Sequence, residues 1–338
     1  MEVTEKHSKL YYITFLQVIG PILVIVGHMI NGMPENKILQ SIKDFIYVFH
    51  MPLFFFISGY LFSYKNGLKG KKYTDFIKKK AWRLLLPYFA FNILFIIPKV
   101  LVSNFIVDKV EFSFGYFLSI FLQPRLNVWG HLWFLFALFI IFAISPIWDF
   151  ILKKKNRLIW GLTFLILIGL NLFPINTNIL AIRDLCKDTL FFALGMLLAT
   201  IGGDKIKNAC TKRNFIYAVI IYFIAFIAWC FKHSNLTNMI LCTLDILMLF
   251  LLPIMYDISS KKLDQLGNYS FSIYIMHWPV MLVIRILFYQ ILNWNPILVS
   301  FLMIIGGYFI PLLIIKIVTK IKETKNIKSK SLYYLLGI

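Results

Sequence analysis

The sequence predicts an all-α fold, a polytopic membrane helix bundle of about ten transmembrane helices. Three observations carry that prediction. Hydrophobic residues make up 60% of the 338 positions, and the mean hydropathy is +0.78. A water-soluble domain of this size has too little interior to hide that much apolar surface. The apolar residues also come in continuous runs, whereas the strands of a membrane barrel alternate and are about 10 residues long. Finally, Lys and Arg cluster in the gaps between the runs and favour every second gap.

The runs follow in order. The first, 10–30, is too long for a signal-peptide core and has no small-x-small cleavage site after it, so it is expected to stay as a helix. The second, 44–62, includes FHMPLFFFISGYLF (49–62), where a histidine, a proline and Ser58-Gly59 interrupt an otherwise oily stretch. The third, 84–104, enters behind a dense basic segment. The stretch 112–123 (FSFGYFLSIFLQ) is too short to cross and is expected to lie at the outer surface or to re-enter. Then come 132–152, 158–174, 185–201 (its start blunted by Lys187 and Asp188), 214–231, 236–256, 270–292 and 296–318. Each holds roughly 17 to 23 residues, the length a helix needs to cross about 30 Å of hydrocarbon. One membrane-embedded domain over 1–318 results, with a basic cytoplasmic tail at 319–338 whose apolar end, LYYLLGI, is expected on the inner surface.

With a cytoplasmic N-terminus, 26 of the 35 Lys and Arg fall in inner segments and seven in outer ones, while Lys99 and Arg285 lie within spans. That asymmetry sets the orientation, with both termini cytoplasmic in the cell membrane. The formal net charge of +20 would suggest nucleic acid in a soluble protein. Here the charges sit in short runs beside apolar spans, so they read as contacts with anionic headgroups, with no nucleic-acid partner. Four cysteines without CxxC spacing predict neither a disulfide framework nor a metal site.

Polar groups inside a bilayer are costly, which makes each one a functional candidate. His28 ends the first span. Gln17 stands 11 residues earlier, so the two side chains share a helix face about 16 Å apart, and Thr14 extends the same stripe. His28 could equally be an interfacial histidine bonded to a carbonyl. His50 is placed at similar depth on the neighbouring second span, with Pro52 near the head of that helix, where a missing N–H is tolerated. Imidazole suits general-base work near neutrality. Two histidines at one depth also suit a metal, but no third ligand stands at a diagnostic spacing and none is expected. Ser58 and Gly59 read as a close helix-packing site.

Lys78, Lys79, Lys80 and Arg83 lead into the third span. They read as positive-inside anchoring or as a dock for a cytoplasmic polyanion, with Lys80 and Arg83 one turn apart and able to hold one phosphate. His131 and Trp133 mark the outer end of the fourth span, where Trp is common in the interfacial belt. Ser270, Tyr274 and His277 share one face of the ninth span. Asp245 and Arg285, inside the eighth and ninth spans, are expected to pair.

The stretches YYITFLQVIGPILVIVGH (11–28), FHMPLFFFISGYLF (49–62), KKKAWRLLLPYF (78–89), HLWFL (131–135) and LGNYSFSIYIMH (266–277) resemble, in this order, the acyltransferase 3 family of integral-membrane sugar and polysaccharide O-acyltransferases. The resemblance implies transfer of an acyl group, expected to be acetyl, from a cytoplasmic acyl-CoA (acetyl-CoA) to a hydroxyl of a cell-surface polysaccharide or its lipid-linked precursor. It assigns His28 the catalytic position, Lys80 and Arg83 the acyl-donor pair, and Gln17, His50, Trp133, Tyr274 and His277 binding positions. The sequence departs from the family at Gln17, where a basic residue is usual, and at Thr14, where an aspartate is frequent. Lipid bilayer, acyl-CoA and a sugar acceptor are the expected partners. The same polar stripes would also suit a glycan or glycolipid exporter, or a catalytically silent member of a polysaccharide assembly.

Overall fold

A computed structural model describes residues 10–94, 96–101, 114–127, 129–325 and 336–337. The described residues form helices and connecting turns, with no strand among them. The helices are α1 (Tyr11–His28), α2 (Lys37–Tyr64), α3 (Tyr73–Leu94), α4 (Ile96–Leu101), α5 (Phe114–Leu122), α6 (Trp133–Ala143), α7 (Ser145–Lys154), α8 (Arg157–Leu172), α9 (Ile182–Ile201), α10 (Gly203–Ala209), α11 (Lys212–Phe231), α12 (Asn235–Met255), α13 (Lys261–Ile284) and α14 (Pro296–Lys325). A π-helical segment, Arg285–Ile291, continues α13.

Six of these helices are long and apolar enough to cross a membrane: α1, α2, α11, α12, α13 with its continuation, and α14. The number rises to eight if two bent pairs each count as one span, Gly130–Ala143 with α7 (54°) and Ile179–Ile201 with α10 (88°). The protein is therefore a multi-pass all-α membrane bundle, although the ten spans expected from sequence are not reached by this measure. The expected fifth span is the shorter 16-residue α8, and the third is divided between α3, α4 and residues outside the described ones. The charged N-terminal residues Lys6 and Lys9, and most of the expected tail (326–335 and 338), also lie outside the described residues.

Local chemistry fixes the helix starts. Asn36 accepts from the Leu39 N–H at 3.1 Å and begins α2. A reciprocal box between Ser234 and Thr237 begins α12, and Ser260 accepts from the Leu263 N–H at 3.1 Å to begin α13. Each side chain satisfies an amide that the helix itself leaves unpaired. Because α2 starts at Lys37, Pro52 lies in the helix interior and not near its head as the sequence suggested. It removes the N–H that the Val48 carbonyl would otherwise receive.

The most extensive helix pair is α2 with α9. Gly59 is its contact point. A Cβ there would lie 1.9 Å from the Phe192 carbonyl oxygen, and one on Gly195 would lie 2.1 Å from the Phe56 oxygen. Small residues let the two backbones touch. Phe55, Phe56, Tyr60, Phe192 and Phe250 pack around this crossing with almost no exposure. Helix α1 lies against α2 and α13, and α11 forms the rim with nearly all of its length exposed. The short connections make α1 and α2 antiparallel. One end of the bundle therefore holds the end of α1 and the start of α2, and the other holds the end of α2 and the start of α3.

Candidate active site

At the first of these ends is a cavity of about 1120 Å³. His28 reaches it as the last residue of α1, His50 from α2, His131 from the turn before α6, and Tyr274 from α13. His277 stands behind His28, the two rings stacked at 5.6 Å with 18° between their planes, and His131 approaches His277 at 5.2 Å. Trp133 and Trp278 complete the apolar part of the wall.

Hydrogen bonds determine how each imidazole is held. His50 Nδ1 lies 2.9 Å from the Ile46 carbonyl, and His277 Nδ1 lies 2.6 Å from the Tyr274 carbonyl. A carbonyl only accepts, so both Nδ1 atoms carry the proton and each neutral ring presents Nε2 as its acceptor. His277 Nε2 is buried with no hydrogen-bond partner among the described residues. His28 is held the other way. Asn31 Nδ2 is 2.9 Å and the Tyr47 hydroxyl 3.0 Å from its Nδ1. An amide NH₂ donates, so His28 Nδ1 bears the lone pair. The Tyr274 hydroxyl donates to the His131 carbonyl at 2.5 Å and ties α13 to the turn before α6.

Arg125 fixes the far wall. Its guanidinium makes three contacts of 2.6 to 2.9 Å with the buried Asp184 carboxylate and lies 4.1 Å over the Trp133 ring. Such a fork-on-carboxylate pair defines orientation as well as charge. Trp133 is thus both a wall of the cavity and a platform for Arg125.

Lys80 and Arg83 stand at the opposite end of the bundle, on the first turns of α3. The Lys80 amine lies 3.6 Å over the Phe142 ring and the Arg83 guanidinium 5.3 Å from the Phe271 ring. Burial pushes the Lys80 amine down to about 7, and the neighbouring Arg83, Lys65 and Lys71 add repulsion. The Phe142 face opposes that shift, because its quadrupole favours the cation. Gln17 joins neither group. Its amide oxygen and the Thr14 methyl lie against Gly267 of α13, so the stripe Thr14–Gln17–His28 faces α13 along its length, but only His28 enters the cavity.

Asp245 and Arg285 do not pair as expected from sequence. Arg285 donates to the Asn31 carbonyl at 3.0 Å and lines the histidine cavity. Asp245 Oδ2 is buried on α12 with no hydrogen-bond partner among the described residues. Hydropathic depth alone matches the two residues, but the packing of α13 beside α1 turns Arg285 to the loop after His28 instead. Asn31, Tyr47, Arg125 and Asp184 are cavity or support residues that the sequence alone does not single out. Asn31, three residues beyond His28, carried a usable signal, whereas Arg125 and Asp184 are 59 residues apart and carried none. Among the described residues, no group of three or more His, Cys, Asp or Glu is placed to hold a metal ion.

The nodulation protein NolL of Mesorhizobium japonicum is 29% identical over 231 residues, which is 65% of this chain and 56% of that protein. The alignment therefore spans little more than half of that relative. No solved structure matches the chain. The family described as acyltransferase domain matches residues 10–316, from the start of α1 into α14. With a match over nearly the whole bundle, including every histidine of the cavity, the chain belongs to the acyltransferase 3 family.

Proposed function

We propose that the protein is a membrane O-acyltransferase that moves an acyl group, acetyl in the simplest case, from cytoplasmic acyl-CoA to a hydroxyl of a cell-surface polysaccharide or its lipid-linked precursor. The observation that carries the reading is the separation of two chemistries. Four imidazoles gather at one end of the bundle, and Lys80 with Arg83 stands at the other.

A polyanionic thioester cannot enter hydrocarbon, so its phosphates need cations at the mouth of the bundle. Lys80 and Arg83 serve that role, and the acyl-pantetheine arm extends inward from them. An alcohol is a weak nucleophile at neutral pH and gains from a positioned base. The acceptor hydroxyl takes the place of Tyr47 at His28 Nδ1 and gives up its proton there as its oxygen attacks the thioester carbonyl. The C–O bond forms, the C–S bond breaks, and the thiolate takes a proton to leave as free CoA thiol. Asn31 orients the ring up to the transfer, and its NH₂ releases Nδ1 as that atom takes the proton. Gln17 and Thr14, against Gly267, support the α1–α13 seam beside the path. His50, Trp133, Tyr274 and His277 shape the acceptor chamber. In this reading the basic end and both termini face the cytoplasm.

The test is reconstitution of the purified protein in liposomes with radiolabelled acetyl-CoA and a hydroxylated glycan acceptor. Acceptor-dependent release of CoA and label on the glycan support the reading. Glycan movement across the bilayer without acetyl-CoA consumption would identify an exporter instead. A second measurement compares glycan acetylation by NMR in cells with and without the gene.

A further inference from the structure

A second cavity, of about 450 Å³, lies beside the histidine chamber. Tyr47 and Arg125 line both, so they form the partition between them. The wall on the far side brings together residues from α2, α8, α9 and α12 that no step of the proposed reaction uses.

Their polar groups are only half engaged by the protein. Asp188 of α9 is 8% exposed, lines the cavity, and takes neither a hydrogen bond nor an ion pair among the described residues. A carboxyl group buried in this way is costly unless something donates to it. Asn171 Nδ2 donates to the Lys187 carbonyl, and Asn238 Oδ1 accepts from the Trp229 indole at 2.8 Å. Each amide keeps its other end for a visitor. Pro52 leaves the Val48 carbonyl without its helical donor, and both residues line the same wall.

This set selects a class of ligand. Arg125 is committed to Asp184, which leaves Asp44 and Asp188 beside Lys187 and His233 around the space, a mixed wall with no surplus of positive charge to select an anion. A carboxyl oxygen, amide ends and a carbonyl match hydroxyls, which both donate and accept, and Trp229 and Phe191 supply the apolar part of the same lining. We infer that the second cavity is a glycan subsite. It holds a sugar unit adjacent to the one whose hydroxyl is acylated in the histidine chamber. The acylated neighbour rests on the proposed acyl transfer; the sugar-binding cavity itself does not.

The experiment therefore reads binding apart from turnover. The probe is a graded series of neutral oligosaccharides from one to six units, prepared by partial hydrolysis of the cell's own surface polysaccharide. Binding to the protein in lipid nanodiscs is followed by saturation-transfer NMR and calorimetry. Oligosaccharides of two or more units are expected to bind more tightly than the single sugar. Asp188→Ala and Asn238→Ala, checked for an unchanged thermal transition, are expected to weaken the longer ligands by on the order of tenfold and leave the single sugar unaffected. If Asp188→Ala fails to fold, Asn238→Ala and Asn171→Ala carry the same comparison. Equal affinity for one and several units, or unchanged binding in the folded variants, overturns the assignment. Binding of a simple alkylammonium ion in preference to the sugars overturns it as well. Acetyl-CoA consumption is measured separately, so loss of the acyl-transfer reading leaves the binding result standing.

Discussion

Replacing Gly59 with alanine tests whether the α2–α9 crossing holds the site in place. The new Cβ would sit 1.9 Å from the Phe192 oxygen, 2.7 Å from its carbonyl carbon and 3.0 Å from its Cα. All three are backbone atoms, so no side chain can swing aside. Ordinary contact begins near 3.4 Å, and the helices must therefore separate by roughly 1.5 Å. Overpacking of this kind costs about 1–3 kcal/mol, and a contact between two backbones belongs at the upper end. The displacement also reaches the cavities, because α2 carries Tyr47 and His50 while α9 carries Asp184, the partner of Arg125. A misplacement of about 1 Å at reacting groups can cost about 100-fold in rate. Thermal unfolding in detergent, followed by tryptophan fluorescence, should show a transition several degrees lower, with acyl transfer reduced at least tenfold in the folded fraction. Gly161→Ala on α8, whose added Cβ meets nothing within 4 Å, is the control and should be neutral or slightly stabilising. A Gly59→Ala protein as stable and active as the wild type would refute the argument that these backbones touch.

Four further outcomes are expected. His28→Ala should retain its fold and lose acyl transfer by about 10²–10⁴-fold, measured as label on the glycan; undiminished product removes His28 from the chemistry. Asn31→Ala leaves His28 with only Tyr47 at Nδ1, so kcat should fall roughly tenfold with the KM for acetyl-CoA unchanged; a change confined to KM contradicts an orienting role. The Lys80 amine is held down to about 7, so its charge, and with it the phosphate contact proposed for it, is present below that pH and lost above it. The kcat/KM for acetyl-CoA should accordingly fall between pH 7 and pH 8.5 at a point set by Lys80, and Lys80→Arg should flatten the profile, because guanidinium stays charged. Arg125→Ala strands the buried Asp184 carboxylate and should lower the thermal transition, while Arg125→Ala with Asp184→Asn should recover part of the loss; a double variant no better than the single one argues against that pairing.

The helices were legible because hydropathy is a local property. Runs of apolar residues between basic clusters located α1, α2, α11, α12, α13 and α14 without any knowledge of neighbours. The same signal could not tell a straight span from a broken one. The 54° bend before α7 comes within a continuous apolar stretch, and the 16-residue α8 reads as a full span by hydropathy. Pro52 was misplaced because the start of α2 depends on the Asn36 cap and on polar residues 37–44, which hydropathy discards.

What the sequence determined alone was chemistry that depends on spacing along one chain. It gave the membrane class, the shared face of Thr14, Gln17 and His28, the basic turn of Lys80 and Arg83, and the small residue at 59. What only the tertiary structure decided was which of these groups meet. The stacking of His28 on His277, the grip of Arg125 on Asp184, the turning of Arg285 to Asn31 rather than to Asp245, and the second cavity behind Tyr47 all join residues far apart in the chain. Such pairings are set by helix rotation and backbone approach, and those in turn are fixed by how neighbouring side chains interlock, a quantity that no single helix carries in its own sequence.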